Sequence, residues 1–457
     1  MPTSIDPSNG RVLHEYAYFD AAQIESTLAR VHAAQREWAA IGVEGRAPLL
    51  HAIGQGLRAR LDECAARMSA EMGKPLAQAR AELDKCAWLC EWFAAEGPAM
   101  LADEPASTDA LRSYASPQPL GVILAIMPWN FPFWQVVRAA VPALLAGNAI
   151  VLKHADNTLG CALLLEQIVR DALPPALVDV FCNLILDHAA AAEVIADRRI
   201  AGVTLTGSVR AGRAVAALAG HALKKVVLEL GGSDPYVVLA DADLDLAATI
   251  CVRARLHNSG QTCVAAKRFI VVDEVADAFA ERVLAKLEAA KLGDPRDPTT
   301  TLGPMARVDL RDELHRQVER SVAAGAQLRL GGRVPEGPGA YYPVTLLDQV
   351  RLGMAAADEE LFGPVAVIMR VADEAAAIAL ANATEFGLGA AVFTRDLARG
   401  EAIARDQFAA GCCFVNDQVR SDPRLPFGGI KSSGHGRELG RAGLYEWVNL
   451  KTVWVAR

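Results

Sequence analysis

The 457-residue chain is 52% hydrophobic and 22% charged, with 36 Gly and 23 Pro. At roughly 150 residues per domain, that length allows about three compact units, each able to bury a core, and the composition excludes a disordered or low-complexity chain. Its 46 basic and 54 acidic residues give a net charge of -8 without a basic block, which argues against a nucleic-acid partner. Nine cysteines, an odd number scattered along a long chain, fit a reducing compartment better than a disulfide framework. The segment 1–10 lacks the basic-then-apolar pattern of a signal peptide, so a cytoplasmic location is expected.

The first hundred residues read as helices. Ile24, Leu28, Val31 and Trp38 recur at helical spacing behind a candidate Asp20 cap, and Leu50, Ile53, Leu57, Leu61, Cys64 and Met68 do so before Gly73. Pro75 opens a third helix with Leu83, Cys86, Cys90 and Phe93 on one face. Cys86 and Cys90 have no second Cys or His pair near them in sequence, so core packing is expected there and no metal site. Residues 101–119 turn polar and proline-bearing, as an excursion from the domain surface would. The apolar stretch 120–152 carries only Arg138 before Lys153 and is broken by Pro128, Pro132, Pro142, Asn130 and Asn148. A lipid-exposed helix would lose several hydrogen bonds there, so the stretch reads as strand, loop, helix and strand, with no membrane partner.

From Gly121 short β-rich runs alternate with helices. The runs are GVILAIM, AIVL, LVDVF, GVTLT and VVLEL, with helices over 134–145, 159–172, 189–197 and 210–219. This is the pattern of a doubly wound parallel sheet that binds dinucleotides. A second series (YVVLA, RFIVVD, VAVIMRV, GAAVFT, CCFVN) predicts a second α/β domain. Three segments carry candidate chemistry. Gly260-Gln261-Thr262-Cys263 sets a cysteine beside glycine at the end of a helical run, where backbone amides can lower a thiol pKa and hold an oxyanion. Glu229-Leu230-Gly231-Gly232 puts a carboxylate at a strand's C-terminal end, and the loop 127–132 (MPWNFP) puts Trp129 and Asn130 after another strand. Singly, each has a structural explanation: a buried thiol, a strand-end ion pair, a core aromatic.

Together they resemble the aldehyde dehydrogenase superfamily. PWNFP at 128–132, TGS at 206–208, ELGG at 229–232, GQTC at 260–263, ELFGP at 360–364 and PFGG at 426–429 followed by Lys431 occur in that family's order and approximate spacing. The resemblance implies an α/β fold with a Rossmann-type NAD(P)-binding domain (1–100 and 120–230), a second α/β catalytic domain (231–435) and a small bridging or oligomerisation element (101–119 and 436–457). It implies Cys263 as nucleophile, Asn130 and the Cys263 N–H as oxyanion donors, and Glu229 as the base that activates water for thioester hydrolysis. It further implies Lys153 and Asp156 at the adenosine ribose, Gly207 and Ser208 at the pyrophosphate, and Glu360 at the nicotinamide ribose. Phe362, Trp129 and Leu230 would line the nicotinamide site. Most relatives carry Glu where this chain has Asp156. An acid that hydrogen-bonds a ribose 2′-hydroxyl repels a 2′-phosphate, so NAD is favoured over NADP. Many relatives also have a glycine-rich turn where this chain has 183–188 (NLILDH).

The tripeptide KHA at 153–155, VTLTGSVRAG at 203–212, LELGGSDPY at 228–236 and the compact length look like the shorter succinate-semialdehyde dehydrogenase branch. Arg138, eight residues after Asn130, matches a substrate-carboxylate arginine, and Ser421 matches a substrate-side serine. The second arginine of longer members is absent before GQTC. His257 stands there, and Arg424 is a candidate substitute. The resemblance therefore implies a small aldehyde substrate, succinate semialdehyde oxidised to succinate, with another short aliphatic or ω-carboxy aldehyde as the alternative. A CoA- or phosphate-dependent acylating reductase would generally lack Glu229, an inactive relative would have lost Cys263 or Asn130, and a cysteine hydrolase would leave the cofactor motifs without purpose. The subunit is expected to form a homodimer or homotetramer.

Overall fold

Strands apolar on both faces need cover on both faces, and this requirement shapes the molecule. The computed structural model describes residues 1–457. In its first sheet the order is Gly434–His435, Lys225–Glu229, Ile200–Thr206, Val122–Met127, Ala149–His154, Phe181–Asn183. All pairings are parallel except that of Gly434–His435. The chain leaves the central strand Val122–Met127 first to one side and then to the other. This makes a switch point, with a crevice outside the strands' carboxyl ends. The helix Trp134–Leu145 is buried along its whole length, as expected of one apolar all round.

The second sheet runs Gln327–Leu330, Thr345–Asp348, Val365–Val371, Ala266–Val272, Asp234–Val238, Gly389–Phe393, Cys412–Val415. Its side chains alternate strictly. Tyr236, Val238, Phe269, Val271, Ile368 and Phe393 enter one core, while Val237, Ile270, Val365, Val367, Met369 and Val392 enter another on the opposite face. A third, antiparallel sheet joins Val448–Val455, Arg112–Pro119 and Glu104–Pro105, so the polar segment after residue 101 meets the C-terminal strand. The short strand Gly434–His435 instead extends the first sheet beside Glu229, and Leu439, Leu444 and Trp447 pack into the first core.

Asp20 caps the helix Ala21–Ala40 through a reciprocal box with Gln23. Gly73, at φ 76°, ends the helix Leu61–Met72, a left-handed stop that glycine favours. Two local expectations are corrected. The helical run ending at Gly73 is two helices, Gly42–Ala59 and Leu61–Met72, broken at Arg60 (φ -111°, ψ 22°). Most of the LVDVF run is a 3-10 turn, Pro175–Val180, because Pro174 and Pro175 fix the backbone and supply no N–H; only Phe181–Asn183 pairs as strand. The hairpin Thr3–Ile5 with Val12–Glu15 and the antiparallel edge strand Gln327–Leu330 went unforeseen. No helix is long and apolar enough to cross a membrane.

Candidate active site

Chemistry-bearing residues gather where the carboxyl ends of the first sheet's strands meet the amino ends of the second sheet's strands. Glu229 is the last residue of its strand, Trp129 and Asn130 lie in the loop after Val122–Met127, and Cys263 precedes Ala266–Val272. The cysteine loop is held in a sparsely populated conformation, with Asn258 at φ 52°, Ser259 at φ 54° and Gly260 at φ 74°. A Cβ on Gly260 would run into the Gly363 carbonyl, so glycine is required there. Such backbone persists only where its surroundings over-determine it. Here Ser259 Oγ donates to the Gly303 carbonyl (3.0 Å) and Gln261 Oε1 accepts from Ala306 N–H (2.9 Å).

Asn130 is tied to this loop from both ends. Its Nδ2 donates to the Gln261 carbonyl (2.9 Å), and its own carbonyl accepts from Asn258 Nδ2 (2.7 Å) and Lys74 Nζ (2.9 Å). Lys74 is buried in an ion pair with Glu82. Glu82 in turn accepts from the Phe133 and Trp134 N–H groups (3.0 and 2.9 Å) at the start of the buried helix. The Cys263 N–H donates to no protein acceptor, which leaves it available to an oxyanion. Lys267, absent from the sequence reading, donates to the Thr262 and Cys263 carbonyls (3.1 and 2.6 Å) and pairs with Glu360 (3.2 Å). The expected lowering of the Cys263 thiol pKa meets an opposing effect. Burial pushes it up to about 12, against the opposing fields of Arg138 and Lys267.

Both Glu229 carboxylate oxygens are buried without a hydrogen-bond partner, and Gly428 makes room for one of them. Burial, reinforced by the nearby Glu438 carboxylate, holds Glu229 well above the ordinary carboxylate range. Arg138, expected to face a substrate carboxylate, lines the cavity at Cys263 and is also ion-paired with Glu438. It also lies 3.4 Å from Thr206 Oγ1, and its guanidinium sits 4.8 Å from the Phe427 ring centre. A buried guanidinium needs an anion, and this chain supplies one from the segment after PFGG, a signal the sequence carried as Arg437-Glu438.

A cavity of about 240 Å³ reaches Thr262 and Cys263 and is lined also by Phe131, Trp134, Lys85 and Ser421. His257 lines it too, stacked on Phe131 at 5.7 Å. Partial desolvation, with the nearby Lys74 and Lys85 charges, lowers its pKa from the ordinary imidazole value although the residue keeps solvent exposure, so it contributes a neutral ring and not the charge of the missing arginine. Arg424 is corrected as well: its side chain is 63% exposed and paired with Asp422 (2.8 Å), and it does not line the cavity. The sequence reading missed Lys85, the single lysine of its helix, because no motif surrounds it.

A second concavity, about 340 Å³, is lined by Lys153 and Asp156 together with Leu186, Asp187, His188 and Arg307. The Tyr18 hydroxyl donates to Asp156 (3.0 Å), and Lys153 Nζ lies 3.7 Å from it. Gly207 N–H donates to the Glu229 carbonyl (2.9 Å), and Ser208 caps the helix Val209–His221. Leu230 fills the space a Cβ on Gly212 would take. Glu360 accepts from Gly232 N–H (3.0 Å), and Phe362 meets Trp129 edge-on at 5.8 Å. A concavity with carboxylates and cations, together with a helix N-terminus at Ser208 after a strand of the same sheet, fits a dinucleotide.

The aldehyde dehydrogenase family model matches residues 2–453. Succinate semialdehyde dehydrogenase (NAD(P)+) Sad of Escherichia coli strain K12 is 50% identical over 454 residues, covering 99% of this chain and 98% of that protein. A probable succinate-semialdehyde dehydrogenase (NADP(+)) of Synechocystis is 46% identical over 453 residues, 99% of each chain. Among solved structures, succinic semialdehyde dehydrogenase from Streptococcus pyogenes in complex with NADP+ superposes with a TM-score of 0.97 at 36% identity, covering 100% of both chains.

Proposed function

The chain belongs to the aldehyde dehydrogenase family, and from that premise we propose that it oxidises succinate semialdehyde to succinate with NAD(P)+. The observation that carries this reading is Cys263 at a cavity reached also by a cation-bearing wall, with Asn130 fastened to the cysteine loop and full-length likeness to enzymes of that name. Cys263 adds as thiolate to the aldehyde carbon. The Asn130 amide and the Cys263 N–H receive the oxyanion, each donor worth roughly 3 kcal/mol in the transition state. NAD(P)+, when bound, accepts the hydride. Glu229 then takes the proton of the water that hydrolyses the Cys263 thioester, a role suited to a desolvated carboxylate of raised pKa. Lys153, Asp156, Gly207, Ser208, Glu360, Phe362, Trp129 and Leu230 are the residues proposed to hold the cofactor.

Both cofactors are accepted on this reading. Asp156 supports NAD, while Lys153 and Arg307 in the same concavity offer cations to a 2′-phosphate. Asp156→Asn is expected to lower the ratio of KM(NADP) to KM(NAD), and an unchanged ratio would contradict the assignment. The function itself is tested with a panel of aldehydes, each cofactor in turn, and no CoA or phosphate. Succinate semialdehyde is expected to give the highest kcat/KM and equimolar succinate and reduced cofactor; a requirement for CoA or phosphate would refute it.

A further inference from the structure

Every charge along the cavity wall is balanced within the chain except one. Arg138 is paired with Glu438, Glu82 with Lys74, and Arg420 with Asp417, and His257 is neutral at physiological pH. Lys85, on the helix Leu76–Met100, has no carboxylate within 4.0 Å of its ammonium. Its Nζ donates to Ser421 Oγ at 2.9 Å and lies 4.1 Å from the centre of the Trp134 ring. Lys85, Ser421, Trp134 and Cys263 all border the same cavity.

We infer that Lys85 is the specificity-determining cation of this enzyme, binding the distal carboxylate of the aldehyde together with Ser421, while Arg138 holds Glu438 in place. The inference rests on the succinate semialdehyde reading and supplies the recognition element that Arg138, engaged by Glu438, does not. An ammonium drawn largely out of water without a counter-charge is costly, and a ligand carboxylate relieves that cost. Two of its N–H groups remain free, because Ser421 takes one and the indole face receives the charge rather than a proton. Ser421 accepts from Lys85 and so keeps its own hydroxyl proton to donate to the same carboxylate. Burial lowers Lys85 to about 8, which leaves it mainly protonated at neutral pH. Lys85 stands on a long helix, so the fixed separation of ammonium and thiol selects chain length.

The test compares succinate semialdehyde with butanal in wild type, Lys85→Met, Lys85→Arg and Arg138→Leu, alongside calorimetric binding of succinate to the cofactor-free enzyme. Lys85→Met is expected to raise KM for succinate semialdehyde by about tenfold or more, as loss of a charge-assisted hydrogen bond does, to change KM for butanal by far less, and to abolish succinate binding. Lys85→Arg should restore binding in part, which a merely structural role would not require. Arg138→Leu should impair both aldehydes alike. A wild type without preference for succinate semialdehyde over butanal would overturn the substrate reading and this inference with it. A wild type with that preference, retained in Lys85→Met, would overturn the inference alone and leave the substrate reading standing. If Lys85→Met does not fold, Lys85→Gln replaces it under the same criteria.

Discussion

Desolvation holds the Cys263 thiol above its ordinary pKa, so the reactive thiolate is the minor form at neutral pH and its proton leaves to solvent through the cavity that Cys263 borders before it attacks. Its reactivity therefore depends on the charges around it, which a motif does not display. Cys263→Ser should abolish turnover, and Asn130→Ala should lower kcat roughly 100- to 1,000-fold by removing one oxyanion donor; an Asn130→Ala enzyme within a few-fold of wild type would exclude that role. Glu438 sets the neighbouring acid. Replacing it by Gln removes a negative neighbour of Glu229 and leaves the positive charge of Arg138, and both changes lower the Glu229 pKa. The ascending limb of kcat against pH should then move to lower pH, and a limb that stays in place would show that the two carboxyls are uncoupled. Cys263, Glu229 and Asn130 were legible because each stands in a short motif. Lys85, Lys267 and Glu438 were not, because they are ordinary charged residues whose burial and pairing arise only when distant segments meet.

Among elements, the buried helix Trp134–Leu145 matches its sequence reading because Gln135 and Arg138 are its only polar residues between the proline loop and a glycine turn. The edge strand Gln327–Leu330 is short, half-exposed and followed by a glycine-rich loop, so no alternation marks it. The loop that carries Asn130 is a tertiary product: Lys74 and Glu82, from the preceding helical region, fasten it by its carbonyl and by the next helix's N–H groups. Glu82→Gln leaves Lys74 as an unpaired buried charge and should cost about 3–5 kcal/mol. Urea unfolding should register that loss, with kcat falling while KM for the cofactor holds. Full stability loss with unaltered kcat would mean that the network supports the fold without positioning Asn130.

At the scale of the whole molecule, the strand Val448–Val455 pairs on one side only and exposes Leu450 and Trp454, each 52% accessible. An eight-residue edge with exposed apolar side chains invites a second copy. We propose a homodimer or homotetramer built on this edge: wild type should sediment above 48.6 kDa, and Leu450→Glu with Trp454→Glu should shift it toward the monomer, whereas a stable, active wild-type monomer would contradict the assembly. The same scale divides the chemistry, since Glu229 comes from the first sheet and Cys263 from the second. Cys263 serves both acylation and deacylation, and Glu229 chiefly the second. The most direct measurement is therefore stopped-flow formation of reduced cofactor by Glu229→Gln with succinate semialdehyde, with mass spectrometry of the quenched enzyme. A burst of one reduced cofactor per active site, a steady state slowed by about 100-fold or more and one succinyl group on Cys263 are predicted; an unaltered steady-state rate, or an acyl group absent from Cys263, would contradict the account.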